Sequence, residues 1–407
     1  MGKKIVIVGA GHAAGQVITL LKQKKYAGEI ILIGEESYLP YQRPPLSKKF
    51  LANKLAIDRL YLKPTEFYDD STIKKYLDTK VISINRKRKS VELSNGEEVS
   101  YNKLVLSVGS RVRRLNINSP KLHGIHYLRK IDDVISIKSE LNKKKNIVII
   151  GGGYIGLETA AVTRELGHNV TVLEKDSRLL SRVVSPEISD FFEIEHARNG
   201  VKLKLSTSVI DFYGDKRIES LKTSNGEIIP ADIVIIGIGI KPNFELAEDA
   251  NLKVNNGIIV NDVCQTSDSN IYAVGDCTIQ PNEIYNRNIR LESVQNALEQ
   301  AKIAVGNICG ESRSKTQVPW FWSDQFDLKL QIAGLSDGYD KTIVVGKPSD
   351  RSFACLYFKN NRLIAADAIN AASEFIMSKK LIASKKTIDT DKLENKTIDL
   401  KDLIEGE

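Results

Sequence analysis

Short, unbroken apolar runs that stop at glycine recur along this chain. Lys4-Ile5-Val6-Ile7-Val8 runs into Gly9-Ala10-Gly11-His12-Ala13-Ala14, and Ile147-Val148-Ile149-Ile150 runs into Gly151-Gly152-Gly153-Tyr154-Ile155-Gly156. Each run reads as a strand, and each glycine cluster opens an amphipathic, helix-like stretch. A second strand-like run follows each unit: Glu29 to Gly34, ending at Glu35 and Glu36, and Asn169 to Leu173, ending at Glu174. Leu104 to Ser110 reads as a buried strand closing on glycine, and Ile233 to Gly239 closes the second unit in the same way. Ile271 to Cys277 adds another strand, and Ser293 to Asn307 carries apolar residues at helical spacing. From about residue 316 the texture changes to short alternating runs, such as Lys341–Val345 and Ser352–Phe358, which predict a small antiparallel sheet with helices around it. The last 20 residues are polar and are expected to pack loosely.

A glycine cluster between a strand and a helix lets backbone N–H groups approach a pyrophosphate at a helix N-terminus. The acidic residue at the end of the next strand accepts the hydroxyls of an adenosine ribose. Two complete units predict two bound dinucleotides, and the usual reason to bind two is to pass electrons between them. The predicted fold class is α/β. It has two Rossmann-like dinucleotide-binding domains and a C-terminal α+β domain. The expected partition is 1–112 with 245–315, then 113–244, then 316–407.

Length and composition agree with a soluble globular protein of two or three domains: 407 residues, 42% hydrophobic and 27% charged. No run approaches the roughly 20 apolar residues of a membrane helix. Met1-Gly2-Lys3-Lys4 leads straight into the first strand without an apolar signal region, so a cytoplasmic location is expected. Cys264, Cys277, Cys309 and Cys355 form no CxxC, and the five histidines are dispersed, so no metal site is expected. His12 lies inside the first fingerprint, where a cofactor contact and a plain loop histidine fit equally. The net charge of +8 draws on runs such as Arg86–Lys89, Lys143–Lys145 and Arg111–Arg114. These suit solvated surface or the docking of an acidic protein partner. They carry no nucleic-acid recognition motif.

The segment Tyr38-Leu39-Pro40-Tyr41-Gln42-Arg43-Pro44-Pro45-Leu46-Ser47-Lys48 resembles the flavin-loop signature of FAD-dependent NADH:ferredoxin reductases, a branch of the glutathione reductase-like fold. The likeness extends over nearly the whole chain. It includes Gly152 to Glu158, Thr266-Ser267-Asp268 with Gly275-Asp276-Cys277, Glu292 to Ala297, and Val318-Pro319-Trp320-Phe321-Trp322-Ser323-Asp324-Gln325. It implies a discontinuous FAD domain, an inserted NAD domain and a C-terminal interface domain. One departure from disulfide reductases of the same fold is informative. Their CxxxxC before the Pro-Ser-Lys turn is absent, and Tyr41 to Lys48 contains no cysteine. Electrons must then leave the flavin directly.

Carried over residue by residue, the resemblance implies FAD contacts from Gly9, Gly11, His12, Ala13, Ala14, Glu35, Arg43, Lys48, Val81, Arg129, Asp276, Val294 and Trp320. It implies NAD contacts from Gly151, Gly153, Tyr154, Ile155, Gly156, Glu158, Glu174 and Gly239. Lys48 and Glu158 are expected to pair beside the flavin, and Trp322 to lie on the electron exit. Trp320 and Trp322, two residues apart, share one face of an extended segment. Glu174 predicts a preference for NADH, because a carboxylate there repels a 2′-phosphate. The implied activity is hydride transfer from NADH to FAD, then single-electron transfer to an acidic iron–sulfur ferredoxin, expected to be a two-iron protein, that serves a cytochrome P450 or dioxygenase. Two rivals stay open: an NADH oxidase or peroxidase, and a redox-sensing flavoprotein resembling apoptosis-inducing factor.

Overall fold

The computed structural model describes residues 3–117, 122–311 and 317–405. The expected boundary at 315–316 lies outside them. The chain divides into two compact units. One comprises residues 1–43, 57–111 and 240–317; the other comprises 44–56, 112–239 and 318–407.

The first unit is built on a five-stranded parallel sheet. Its order is Ile271–Ala273, Lys103–Leu106, Lys4–Val8, Glu29–Ile33, Ile73–Tyr76. Ile5 and Ile7 point to one face of this sheet, where Ala14, Val17, Ile18 and Leu21 of the helix His12–Gln23 pack beside Ala301, Ala304 and Val305 of the helix Val294–Ile308. Val6 and Val8 point to the other face, with Ile31, Ile33, Leu104 and Leu106, and are covered by Val81, Val91, Leu93 and Val99. The last four belong to the antiparallel sheet Val81–Asn85, Ser90–Leu93, Glu98–Ser100. Burial on both faces explains why the central strands read as unbroken apolar runs. Each fully buried Ile, Val or Leu contributes about 1.5–3 kcal/mol relative to exposure.

The second unit repeats this design. Its parallel sheet has the order Lys202–Lys204, Asn169–Leu173, Asn146–Ile150, Ile233–Ile236, Ile125–Tyr127. The antiparallel strands Val209–Tyr213, Ser220–Thr223 and Ile228–Pro230 place Val209, Phe212, Leu221 and Ile229 against Val148, Ile150, Val234 and Ile236. The unit also holds a five-stranded antiparallel sheet, ordered Trp320–Gln325, Leu328–Gly334, Arg362–Ile369, Ser352–Lys359, Lys341–Lys347, with the helix Ala372–Ser384 packed on it. The two alternating runs seen in the sequence are strands of this sheet. The chain is thus α/β with two Rossmann-like parallel sheets and a C-terminal α+β portion.

The polar C-terminal stretch departs from the loose packing expected of it. Ile388, Leu393 and Leu400 are buried, and Thr390–Glu394 is helical with Asp389 as its N-cap. Three well-spaced apolar residues suffice to tie down a segment whose average composition is polar. Among the described residues, no helix is long and apolar enough to cross a membrane.

Candidate functional site

The two glycine fingerprints adopt the same backbone geometry. Gly9 has φ +103° and Gly151 has φ +112°, both in the left-handed region. A Cβ at Gly9 would stand 2.3 Å from the Ser107 carbonyl oxygen, and one at Gly151 would stand 2.5 Å from that of Gly237. Glycine is therefore required twice over, by conformation and by space. Gly9 N–H donates to Ile33 and Gly151 N–H to Leu173, each at 2.8 Å, which fixes the turn against the neighbouring strand. Gly156 allows its helix to approach this turn, since a Cβ there would be 2.0 Å from the Gly151 carbonyl oxygen.

Gly11 and Gly153 stand at the N-caps of the two helices and, being glycine, offer no side chain of their own as a cap. A Cβ at either position would meet no described atom within 4 Å. The first N–H groups of each helix have no intrahelical acceptor. The positive end of each helix dipole lies at this open space. The pocket that a side chain would fill is thus left clear, which fits the pyrophosphate of a dinucleotide. His12, Ala13 and Ala14 form the first turn at one terminus, and Tyr154, Ile155 and Gly156 form it at the other.

The acidic partners differ between the two turns. Glu174 follows its strand directly and accepts from Gly152 N–H at 2.6 Å and Asp176 N–H at 2.9 Å. It is therefore held against the second fingerprint. Glu35 is exposed two residues beyond its strand. Its neighbour Glu36 is engaged instead: it accepts from Tyr41 Oη at 2.7 Å and from Arg43 Nη2 at 2.6 Å. Burial disfavours the Arg43 charge, but Tyr41 and Glu36 outweigh it and raise the guanidinium pKa further, with a smaller contribution from Asp276. Asp276 accepts from Ser110 Oγ at 2.7 Å. Val81 is buried in the first unit, and Val294 opens a helix whose N-cap Ser293 accepts from Asn296 N–H at 3.1 Å.

In the second unit, the flavin-loop turn forms a short 3₁₀ helix, Pro44–Ser47. Lys48 ends it and places Nζ 2.6 Å from Glu158 Oε2. Glu158 is 1% exposed and also accepts from Ser47 Oγ at 2.5 Å and Ser323 Oγ at 2.7 Å. Three donors on one carboxylate make its burial tolerable. Gly239 has φ +97°, and its carbonyl accepts from Arg113 N–H at 2.9 Å. Arg129 is half-buried, with its N–H donating to Asp133 at 2.9 Å.

The strand Trp320–Gln325 sorts its side chains by alternation. Trp320 and Trp322 share one face, with ring centroids 5.6 Å apart. Lys379 places Nζ 5.5 Å above the Trp320 ring. On the opposite face, Phe321 meets Tyr154 at 4.9 Å, Ser323 reaches Glu158, and Gln325 reaches His196. The residues that sequence reasoning did not single out are Ser47 and Ser323. Ser47 was within reach as the neighbour of Lys48. Ser323 required the long-range placement of its strand.

Comparisons with known proteins place this chain in a family. The family model "Pyridine nucleotide-disulphide oxidoreductase" matches residues 3–301, and "Reductase C-terminal" matches 320–404. The chain belongs to the pyridine nucleotide-disulphide oxidoreductase family and is an oxidoreductase. It is 41% identical to a ferredoxin–NAD(P)(+) reductase of Sphingomonas sp, over 95% of this chain and 94% of the relative. It is 39% identical to putidaredoxin reductase of Pseudomonas putida, over 98% and 96%. Among solved structures it resembles the reductase in a covalent putidaredoxin reductase–putidaredoxin complex, with a TM-score of 0.96 and 38% identity over 99% of this chain and 98% of that one.

Proposed function

We propose that this chain is an NADH-dependent, FAD-containing ferredoxin reductase of the cytoplasm. The carrying observation is the pair of glycine-cleared helix N-termini together with a flavin-loop turn that holds a Lys48–Glu158 ion pair and no cysteine. Similarity to ferredoxin reductases along nearly the full length supports the same reading.

FAD, when bound, supplies the conversion between two-electron hydride chemistry and one-electron transfer. The helix N-terminus at Gly9, Gly11, His12, Ala13 and Ala14 holds its pyrophosphate. Glu35 takes the adenosine ribose, Val81 the adenine and Asp276 the ribityl chain. Arg43 stays braced by Glu36, and Arg129, Val294 and Trp320 complete the contacts. Gly151, Gly153, Tyr154, Ile155 and Gly156 hold the NADH pyrophosphate, Glu174 its ribose, and Gly239 lies towards the nicotinamide. Lys48 and Glu158 orient and electrostatically support the transfer. Trp322 serves the exit towards a docked iron–sulfur protein, which passes electrons to an oxygenase such as a cytochrome P450 or a dioxygenase. Residues 1–112 and 245–315 make the FAD domain, 113–244 the NAD domain and 316–407 the interface domain.

The test combines identification of the released flavin with NADH-driven reduction of a two-iron ferredoxin, a rubredoxin and oxygen, each assayed alone. Fast ferredoxin reduction is expected. Fast oxygen consumption with no effect of ferredoxin would establish the oxidase instead. Slow reduction by NADH with a long-lived coloured complex would establish the sensor.

A further inference from the structure

One face of the strand Trp320–Gln325 carries a hydrogen-bond chain that ends on Glu158. His196 Nε2 lies 2.8 Å from Gln325 Oε1, Gln325 Nε2 lies 3.2 Å from Ser323 Oγ, and Ser323 Oγ lies 2.7 Å from Glu158 Oε1. Every group in it is buried, with Ser323 and His196 fully so. The direction of the chain is fixed from its far end. Burial pushes the His196 pKa down to about 4, so the ring is neutral and carries one proton. Its Nδ1 has no partner among the described residues, so the proton sits on Nε2, where it donates to Gln325. The Gln325 amide nitrogen then donates to Ser323. The Ser323 hydroxyl has its oxygen engaged as acceptor, and its proton is left for Glu158.

We propose that Ser323 is a positioning residue for Glu158: backed by Gln325 and His196, it fixes the carboxylate in the orientation that receives Lys48. Oε2 already takes Ser47 and Lys48, while Oε1 accepts from Ser323. Removing the serine hydroxyl leaves Oε1 a buried acceptor with one bond fewer, and the carboxylate turns away from Lys48 to recover it. Ser323 also directly follows Trp322, so the backbone that sets the indole sets the Glu158 clamp. This inference rests on the reading of Lys48 and Glu158 as the pair that supports hydride transfer.

The experiment uses the FAD-loaded full chain with Ser323→Ala and Ser323→Thr. Rapid mixing with NADH gives the limiting rate of flavin reduction and the apparent Kd for NADH separately. The long-wavelength absorbance of the reduced complex and the flavin midpoint potential are measured on the same samples. For Ser323→Ala, the limiting rate should fall by about 3- to 30-fold with Kd unchanged, a loss of interaction in the transition state and not in the ground state. The long-wavelength band and the potential should shift with it, and Ser323→Thr, which keeps the hydroxyl, should restore all three. Should Ser323→Ala not retain FAD, Ser323→Cys, a weaker donor of similar volume, is expected to give an intermediate rate and band. Wild-type rates and spectra in the alanine or cysteine variant would overturn the proposal, as would equal losses in Ser323→Ala and Ser323→Thr. If NADH fails to reduce even the wild-type flavin, the functional reading itself falls and this inference falls with it.

Discussion

Lys48 Nζ lies 2.6 Å from Glu158 Oε2, joining the end of the flavin-loop turn to the first turns of the second fingerprint helix. The lysine side chain is 16% exposed and the carboxylate 1%. An ion pair this dry contributes little as a simple staple, because desolvation offsets most of the attraction. Its presence at two sequence motifs of an oxidoreductase points to chemistry.

Lys48→Met should slow flavin reduction by NADH about 10- to 1000-fold, equivalent to roughly 1.4–4 kcal/mol of barrier. FAD should remain bound, because the fingerprint at Gly9 to Ala14 is untouched. A rapid-mixing trace checks this, and an unchanged rate removes Lys48 from the hydride step.

NADH should be preferred to NADPH. The Glu174 carboxylate is pinned against Gly152 N–H and Asp176 N–H and cannot easily swing aside for a 2′-phosphate. Exposed Lys175 beside it softens the repulsion without replacing it. The expected ratio of kcat/KM values is on the order of 10- to 1000-fold, and Glu174→Ala should reduce it. Equal kcat/KM for the two coenzymes in the wild type would remove Glu174 from the ribose site.

Ferredoxin reduction should weaken as salt rises, while flavin reduction by NADH changes little. Exposed charges are screened beyond a Debye length of about 10 Å at 0.1 M. Lys379, over the Trp320 ring, and exposed Lys380 are the candidates for the docking face. Trp322→Ala should slow the ferredoxin step more than the NADH step. Stopped-flow measurement of both half-reactions at several ionic strengths decides it.

The pH dependence of stability should carry a contribution from Asp367. Burial, against a smaller opposing effect from the Tyr357 hydrogen bond, raises its pKa from 3.8 to about 7. Between these values the folded state holds a proton that the unfolded state has released, so stability falls as pH rises. Below about 4 and above about 7 this contribution is flat. Asp367→Asn should gain stability relative to wild type across that window, by at most about 1.4 kcal/mol per pH unit. Denaturant unfolding of both proteins at pH 4, 5.5 and 7 checks the slope; parallel curves would show Asp367 ionised in the fold.

What the sequence disclosed follows from physical range. The parallel strands were legible because burial on both faces writes an unbroken apolar run, as at Ile5 to Val8 and Ile147 to Ile150. The fingerprints were legible because Gly9 and Gly151 answer a backbone demand that no other residue meets. The Lys48–Glu158 pair was reachable because each residue sits at a fixed offset from a motif. Ser323 was not, since its role depends on where a strand more than 160 residues away from Glu158 is placed, and on alternation along that strand. The engagement of Glu36 by Tyr41 and Arg43 was likewise hidden. Two adjacent glutamates look alike until the loop folds back on one of them. The C-terminal packing of Leu393 and Leu400 escaped notice because average polarity masks a few well-placed leucines.

The most direct test of the function is a double-mixing experiment on the FAD-loaded chain. NADH is mixed first under anaerobic conditions, and an oxidised two-iron ferredoxin is added once the flavin has bleached. Rapid flavin reduction followed by reduction of the ferredoxin, with two ferredoxins reduced per NADH consumed, is the predicted result. A bleached flavin that leaves the ferredoxin oxidised, and returns to its oxidised spectrum only on admission of oxygen, would contradict it.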